Sequence, residues 1–378
     1  MSTVTIELFD ENSIGRYYQI ATLSIVYPSV SLTLKSSLEK GLEQGVLQID
    51  QNGVYQLFST TANYLVNNVC PVKGDYSPFL YTAGVNDKKA LRNAGIQVGK
   101  TLQCVDIVNY LRNSVYQFLT QPADVPMFLR TYVFSRYRDH DKVGKTSVAS
   151  LSLALAGIYI SAIGKVRKRE QLFEIFVNPD DSLDTLRDAR RFYDLLNEPR
   201  SNIRIPSLIG NILDLEGISL ELSTLLATAI YIYGVARCVR NLTSLSSYYN
   251  VFERFRLVCV SPMDRPLVLW ERPLTLTHLV RSLERAKALD LLETIDELVS
   301  YSQQISNKLD EYSGTISTCI SNLYEYIETG SLDALVHCSG EVARLYDQLS
   351  KLCEEKLTQA CKAANTTRFF LHRLSNLI

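Results

Sequence analysis

From Thr146 to Ile163 the chain runs without a single charged residue. A run of that kind is destined either for a bilayer or for the middle of a folded core. It holds five Ser/Thr together with Ala149, Ala154, Ala156 and Gly157, a small-residue texture that suits close packing inside a domain. It therefore reads as a buried helix, about 27 Å long at 1.5 Å per residue, around which the rest is organised. A second apolar run, Leu222 to Ala236, is short for a bilayer and is expected to pack inside as well. No membrane partner is expected.

The buried helix leads into positive charge. Gly164 is followed by Lys165, Arg167, Lys168 and Arg169, then by an apolar strand Leu172–Val177, the turn Asn178-Pro179-Asp180-Asp181, and a helix carrying Arg187, Arg190 and Arg191. Phased from Leu183, that helix gathers Leu186, Ala189, Phe192, Tyr193, Leu195 and Leu196 on one side and the three arginines on the other. Upstream, Phe128 to Arg138 interleaves aromatic residues with Arg130, Arg136 and Arg138, and Lys142 and Lys145 precede the helix. Such a mixture suits phosphate contacts with base stacking; it equally suits a half-buried strand with a solvated basic face. Between Arg130 and Arg204 there are 14 Lys/Arg against 10 Asp/Glu, and from Leu274 onward 10 against 14, while the whole chain carries −1. Nucleic acid would meet a patch, beside partners that supply further charge.

The N-terminal part reads as an edge strand Thr3–Phe9, a helix from Ile14, and a helix lined by Leu32, Leu34, Leu38 and Leu42 that Gly45 helps to stop. Val46–Ile49, the turn Asp50-Gln51-Asn52-Gly53 and Val54–Leu57 have the pattern of a hairpin, and a helix follows from Ser59. Helix, hairpin, helix is the order of a winged-helix unit and also of an ordinary α+β hairpin. Cys70 to Gly99, broken by Gly and Pro, reads as a long surface loop whose Tyr76, Phe79 and Tyr81 either stack on bases or fold back over the core. A helix resumes from Thr101 to Leu119. Past a second apolar helix, Phe252–Val260 and Leu267–Trp270 form a hairpin around a proline-rich turn. Beyond Leu274 proline disappears and apolar residues recur at spacings of three and four, the pattern of a bundle of four or five helices. The fold class is thus α+β: a mixed, mostly helical N-terminal body with short strands, then a C-terminal helical bundle. The expected divisions are 1–125, 126–273 and 274–378.

Eight cysteines are scattered without a C-x-x-C pair, and no segment reads as a signal peptide. Buried thiols in a reducing, cytoplasmic interior are expected. Sharper motifs fail on their own requirements. Gly144-Lys145-Thr146 lacks the earlier glycine of a phosphate-binding loop, since Asp139 stands there. Asp139-His140-Asp141 has its other histidines, His278, His337 and His372, far along the chain. Neither catalytic residues nor a cofactor nor a metal is expected.

The order of features from Val143 to Asp181, an apolar small-residue helix, a basic strand, an apolar strand and Asn-Pro-Asp-Asp before a new helix, with a helical bundle from about Leu274, resembles the large subunit of archaeal subtype I-A CRISPR interference complexes (Cascade). The resemblance implies a non-catalytic subunit at the crRNA 5′ end, beside the backbone and small subunits, that senses the motif flanking a DNA target duplex and helps recruit the helicase-nuclease. Phosphates would be met by Lys165, Arg167, Lys168, Arg169, Arg187, Arg190 and Arg191, with Arg136 or Arg138 at a groove edge. Two other readings remain open: a viral nucleocapsid or capsid protein that coats RNA, and a protein-interaction scaffold whose basic residues are only solvated.

Overall fold

The structure is a computed structural model and describes residues 3–11, 13–78, 85–126, 145–201, 204–215, 217–242, 244–261, 267–285, 288–355 and 357–377. The chain divides into two compact units, one of residues 1–200 with 254–274, the other of 201–253 with 275–378. Three consecutive regions were expected. The two units cut across them: residues 1–200 stay together, 201–253 join the helical run after 274, and the hairpin 254–274 returns to the first unit.

The first unit starts with β1 (Thr3–Glu7), α1 (Ile14–Val26), α2 (Leu32–Gln44), β2 (Val46–Asp50) and α3 (Gln51–Tyr64). β2 pairs antiparallel with β1, Thr3 opposite Asp50, and has no hairpin partner after it. The expected second strand is α3, which removes the wing and with it the winged-helix reading. The reason is a cap. Asp50 is extended and its carboxylate accepts from the Gly53 amide at 2.7 Å, so Asn52-Gly53 forms a first helical turn. Val54, Leu57, Phe58, Thr61 and Ala62 then face the core at helical spacing.

The segment read as a loop contains α4 (Cys70–Lys73) and α5 (Val85–Asn93); α6 (Cys104–Asn113) and α7 (Val115–Phe118) follow, then β3 (Pro122–Asp124), which pairs with β4 (Lys145–Ser147). Ser147 caps α8 (Val148–Ser161), in which every residue is buried. α1 is buried along its whole length too, and the two helices form the heart of this unit. They meet at Gly157, where an added Cβ would stand 1.8 Å from the Tyr18 carbonyl oxygen. Two polar side chains of α1 are satisfied across the same seam. The Gln19 amide donates to Ser150 Oγ at 2.8 Å, and the Thr22 hydroxyl donates to the Leu153 carbonyl at 2.8 Å.

From α8 the chain turns directly into β5 (Ala162–Lys168) and β6 (Gln171–Pro179); α9 (Leu183–Leu196) follows. Gly164 lies in a bulge of β5, at φ +145°, rather than ending the helix. After the second unit's α10 (Ile205–Leu213) and α11 (Leu220–Gly234), β7 (Phe255–Ser261) and β8 (Leu267–Pro273) complete an antiparallel sheet in the order β5-β6-β7-β8. The second unit adds α12 (Leu276–Arg285), α13 (Leu291–Ile305), α14 (Glu311–Thr329), α15 (Leu332–Glu354) and α16 (Thr358–Leu374), the helical run that the apolar spacing indicates.

Six cysteines are paired as disulfides: Cys70–Cys104 between α4 and α6, Cys319–Cys338 between α14 and α15, and Cys353–Cys361 across the α15–α16 turn. This corrects the expectation of unpaired thiols, because packing of neighbouring helices brings each pair of Cα atoms to between 4.4 and 5.4 Å. The cysteine argument for a reducing compartment falls with it, since disulfides mark oxidising compartments and hyperthermophile interiors alike. Cys238 and Cys259 are unpaired, and burial pushes the Cys259 thiol up to about 12. Among the described residues, one helical run, Leu220–Val239, is long and apolar enough to cross a membrane, and 67% of its most apolar stretch is buried within the protein.

Candidate nucleic-acid interface

The β5–β6 hairpin presents two of the expected cations, Arg167 and Arg169, in the open. Lys165 pairs with Glu174 and Lys168 with Gln171, which leaves Arg169-Glu170 as a two-residue turn. Arg169 is at φ +54°, a left-handed conformation that tight hairpin turns demand. The side chains of Arg167 and Arg169 are both exposed and make no hydrogen bond or ion pair among the described residues, while Lys168 between them is half-buried. β6 continues into the sheet and pairs with β7 from Glu174 to Pro179, so the tip stands on a ribbon anchored in the core.

Lys165 has a different place. Its ammonium lies 3.1 Å from Glu174, whose side chain is fully buried, and 5.8 Å from the Tyr76 ring centroid. Lys73 donates to the Ala162 carbonyl nearby. A carboxylate without water requires a cation, so Lys165 is held inward. Tyr76 lies edge-on to Tyr159, an aromatic folded back over the core.

The arginines of α9 project from the phase expected, but the structure surrounds them with acceptors. Arg187 donates through Nε and Nη2 to Glu39 of α2 at 3.0 and 2.7 Å, and the Tyr27 hydroxyl donates to the same oxygen at 2.7 Å. The Tyr27 hydrogen bond first, and Arg187 second, hold the Glu39 carboxyl below the usual range. Arg190 donates to the Ile25 carbonyl at 3.0 Å and to Ser29 Oγ at 2.5 Å, lies 3.8 Å from Asp194, and stacks over Tyr64. Arg191 is exposed. On the same helix, Asp184 and Asp188 flank Arg254 at 3.4 and 3.6 Å. α9 is thus fastened to α1, α2 and the strand β7 region by charge, and its guanidinium groups are not one open patch.

Lys145 is exposed at the start of β4, beside a hydroxyl-lined groove. Arg130, Arg136, Arg138 and Lys142 lie outside the described residues. The structure therefore brings Arg167, Lys168 and Arg169 together, and sets Lys145, Lys165 and the α9 arginines in three other surroundings. Sequence reading missed a pair of tyrosines, Tyr55 and Tyr116, whose rings stack at 6.1 Å and 26° on the surface. Reading Tyr55 as part of a strand hid it; its place one turn after a capping Asp50 was the available signal.

Burial and charge also meet at Arg16, which is 1% exposed. Its Nε lies 3.2 Å from Asp181, and its terminal nitrogens donate to the carbonyls of Leu42 and Phe9 at 2.5 and 3.3 Å. Burial raises the Asp181 carboxyl above the usual range, against the pull of Arg16. This cluster locks the turn before α9 to the N-terminal elements, which fixes the position of the hairpin's neighbours. Among the described residues no group of three His, Cys, Asp or Glu is arranged to hold a metal. No family model, no curated protein and no solved structure matches this chain.

Proposed function

We propose that this chain is a non-catalytic nucleic-acid-binding scaffold subunit of a CRISPR interference complex, contacting the crRNA end and the DNA that flanks the target. The observation that carries the nucleic-acid part is the β5–β6 tip, where two unengaged arginines project on a sheet-anchored ribbon. Arg167 and Arg169 neutralise phosphates there, which supplies affinity and register without sequence choice. The assembly itself is carried by the resemblance in feature order, and its partners are backbone and small subunits and a helicase-nuclease. A role as a protein-interaction surface is favoured by β8, the last strand of its sheet, which exposes Leu267 and Leu269 by 58% and 43%; apolar sheet edges of this kind invite a partner.

The test has two arms. Tagged protein recovered from its native host should bring down short RNAs of one repeat family with backbone subunits; heterogeneous RNA with self-assembled protein alone would point to a nucleocapsid and refute the assembly. In solution, Arg167→Ala with Arg169→Ala should flatten the dependence of log affinity for duplex DNA on log salt by about 0.9 for each phosphate contact removed. An unchanged slope removes the hairpin from the interface.

A further inference from the structure

A second surface of the first unit has the chemistry of a single-strand site. A groove of about 490 Å³ is lined by Thr3, Thr5 and Glu7 of β1, by Thr120, and by Lys145 and Thr146 of β4. Its composition follows from strand alternation. Ile6 is buried while Thr3, Thr5 and Glu7 point outward, so the core makes no demand on them. The hydroxyls of Thr3, Thr5, Thr120 and Thr146 make no hydrogen bond among the described residues, and Lys145 has no ion pair there. The helix end beside the groove is already satisfied: the Val148 and Ala149 amides donate to the carbonyls of Gln121 and Leu119, and the Ser150 amide donates to Ser147 Oγ. A ligand in the groove would therefore be met by side chains, namely by four hydroxyls and one ammonium.

Along the chain, the aromatic pair lies close to two of the segments that line the groove. Thr3 is paired with Asp50, five residues before Tyr55, and Thr120 comes four residues after Tyr116. Tyr55 is 63% exposed, more than any packing role in the core needs, and its ring is held parallel to Tyr116. Burial first, and the neighbouring Tyr55 second, raise the Tyr116 phenol above its ordinary value, so the Tyr116 ring stays neutral at physiological pH. Arg112, one turn before Tyr116, is exposed and donates to Asn63 at 2.9 Å, which adds a cation at the same flank. Fixed aromatic faces beside hydroxyl donors and isolated cations are the elements by which proteins hold single strands without reading their sequence.

We infer that Tyr55 and Tyr116 stack on the bases of a single-stranded nucleic acid whose phosphodiester backbone lies in the groove of Thr3, Thr5, Thr120, Thr146 and Lys145. The inference rests on the nucleic-acid reading proposed above and assigns it a second contact. Glu7 opposes a polyanion, so the strand occupies the Thr3–Thr5 end of the groove, and neutralising Glu7 strengthens binding.

The experiment is fluorescence anisotropy of the full chain with a labelled oligouridylate of roughly ten nucleotides, and with the matching deoxy strand, across a salt series. Tyr55→Ala and Tyr116→Ala each weaken binding on the order of tenfold with the salt slope unchanged. Lys145→Ala lowers the slope by about 0.7, and Glu7→Gln tightens binding, a gain that a merely structural role would not produce. Tyr55, Lys145 and Glu7 are exposed and Tyr116 is half-buried, and thermal melts confirm that each variant folds. Tighter binding of the ribo strand assigns the hydroxyls to the 2′-OH, and equal binding assigns them to phosphate. Wild-type affinity in both tyrosine variants and in Glu7→Gln overturns this site; if Arg167→Ala with Arg169→Ala still weakens binding, the hairpin reading survives alone. Loss in the tyrosine variants with none in the hairpin variant leaves this site and removes the other. No binding of either strand or of duplex by wild type overturns both.

Discussion

Substituting Gly157 by Ala tests the central packing of the first unit. The new Cβ would lie 1.8 Å from the Tyr18 carbonyl oxygen, 2.4 Å from its carbon and 2.8 Å from its Cα. All three are backbone atoms of a fully buried helix, so no side chain can swing aside. Restoring an ordinary separation of about 3.4 Å requires α1 and α8 to part by about 1.6 Å. The bonds from Gln19 to Ser150 and from Thr22 to Leu153, both 2.8 Å now, would then exceed hydrogen-bonding reach. Overpacking alone costs about 1–3 kcal/mol, and each buried polar group left unpaired adds about 1–3 kcal/mol. A loss of about 4 kcal/mol is a moderate total. The unit holds about 220 residues. At about 2.1 cal/mol/K per residue, 4 kcal/mol lowers its melting temperature by about 9 °C. The control is Gly340→Ala on the exposed side of α15, where an added Cβ meets nothing within 4 Å. There the same substitution gains about 0.5–1 kcal/mol through helix propensity and raises the melting temperature slightly. Calorimetry of the three proteins gives the answer. A Gly157→Ala protein that melts within a degree or two of wild type would refute the close approach of α1 and α8.

Arg16→Met should destabilise by about 3–5 kcal/mol at neutral pH, because it leaves Asp181 buried beside empty carbonyls. The Asp181 carboxyl is already raised by burial. A raised acid contributes stability that is present below its unfolded pKa and lost as pH rises through its folded one, and removing Arg16 raises it further. Urea melts should therefore show the Arg16→Met deficit shrinking as pH falls from 7 toward 4; a pH-independent deficit would contradict the ion pair. Arg190→Ala removes charge-assisted bonds to Ile25 and Ser29 and should cost about 1.5–3 kcal/mol in denaturant melts, while the salt slope of nucleic-acid binding stays unchanged; a lower slope would make Arg190 a phosphate contact after all. Alkylation of unfolded, unreduced protein should label Cys238 and Cys259 and spare the other six, which mass spectrometry reads directly. Closing the 34-residue separation of Cys70 and Cys104 contributes about 4 kcal/mol in the chain-entropy account, so reductant should lower the melting temperature; eight labelled cysteines without reductant would refute the pairing.

The uncharged run from Thr146 to Ile163 places α8, and periodicity places the apolar side of α9 and the helical run after Leu274, because both signals are local properties of the chain. Ser147 and Ser182 at the starts of α8 and α9 are local for the same reason. The basic β5–β6 hairpin belongs with them, since Lys165 to Val177 holds both strands and the turn. The stretch after Asp50 was ambiguous at that level. Asp-Gln-Asn-Gly serves equally as a hairpin turn or as a capped first helical turn, and only β1, about 45 residues earlier, decides by taking the β2 edge. The same holds for the candidate site. Arg187 meets Glu39 across 148 residues and Arg190 meets Ile25 across 165, so no local pattern marks those two guanidinium groups as engaged. Tyr55 and Tyr116 come together in the same way. Helical phase assigns a residue to a face, but what that face meets is a matter of long-range packing, and packing separates unengaged cations such as Arg167, Arg169 and Lys145 from those that hold the fold together.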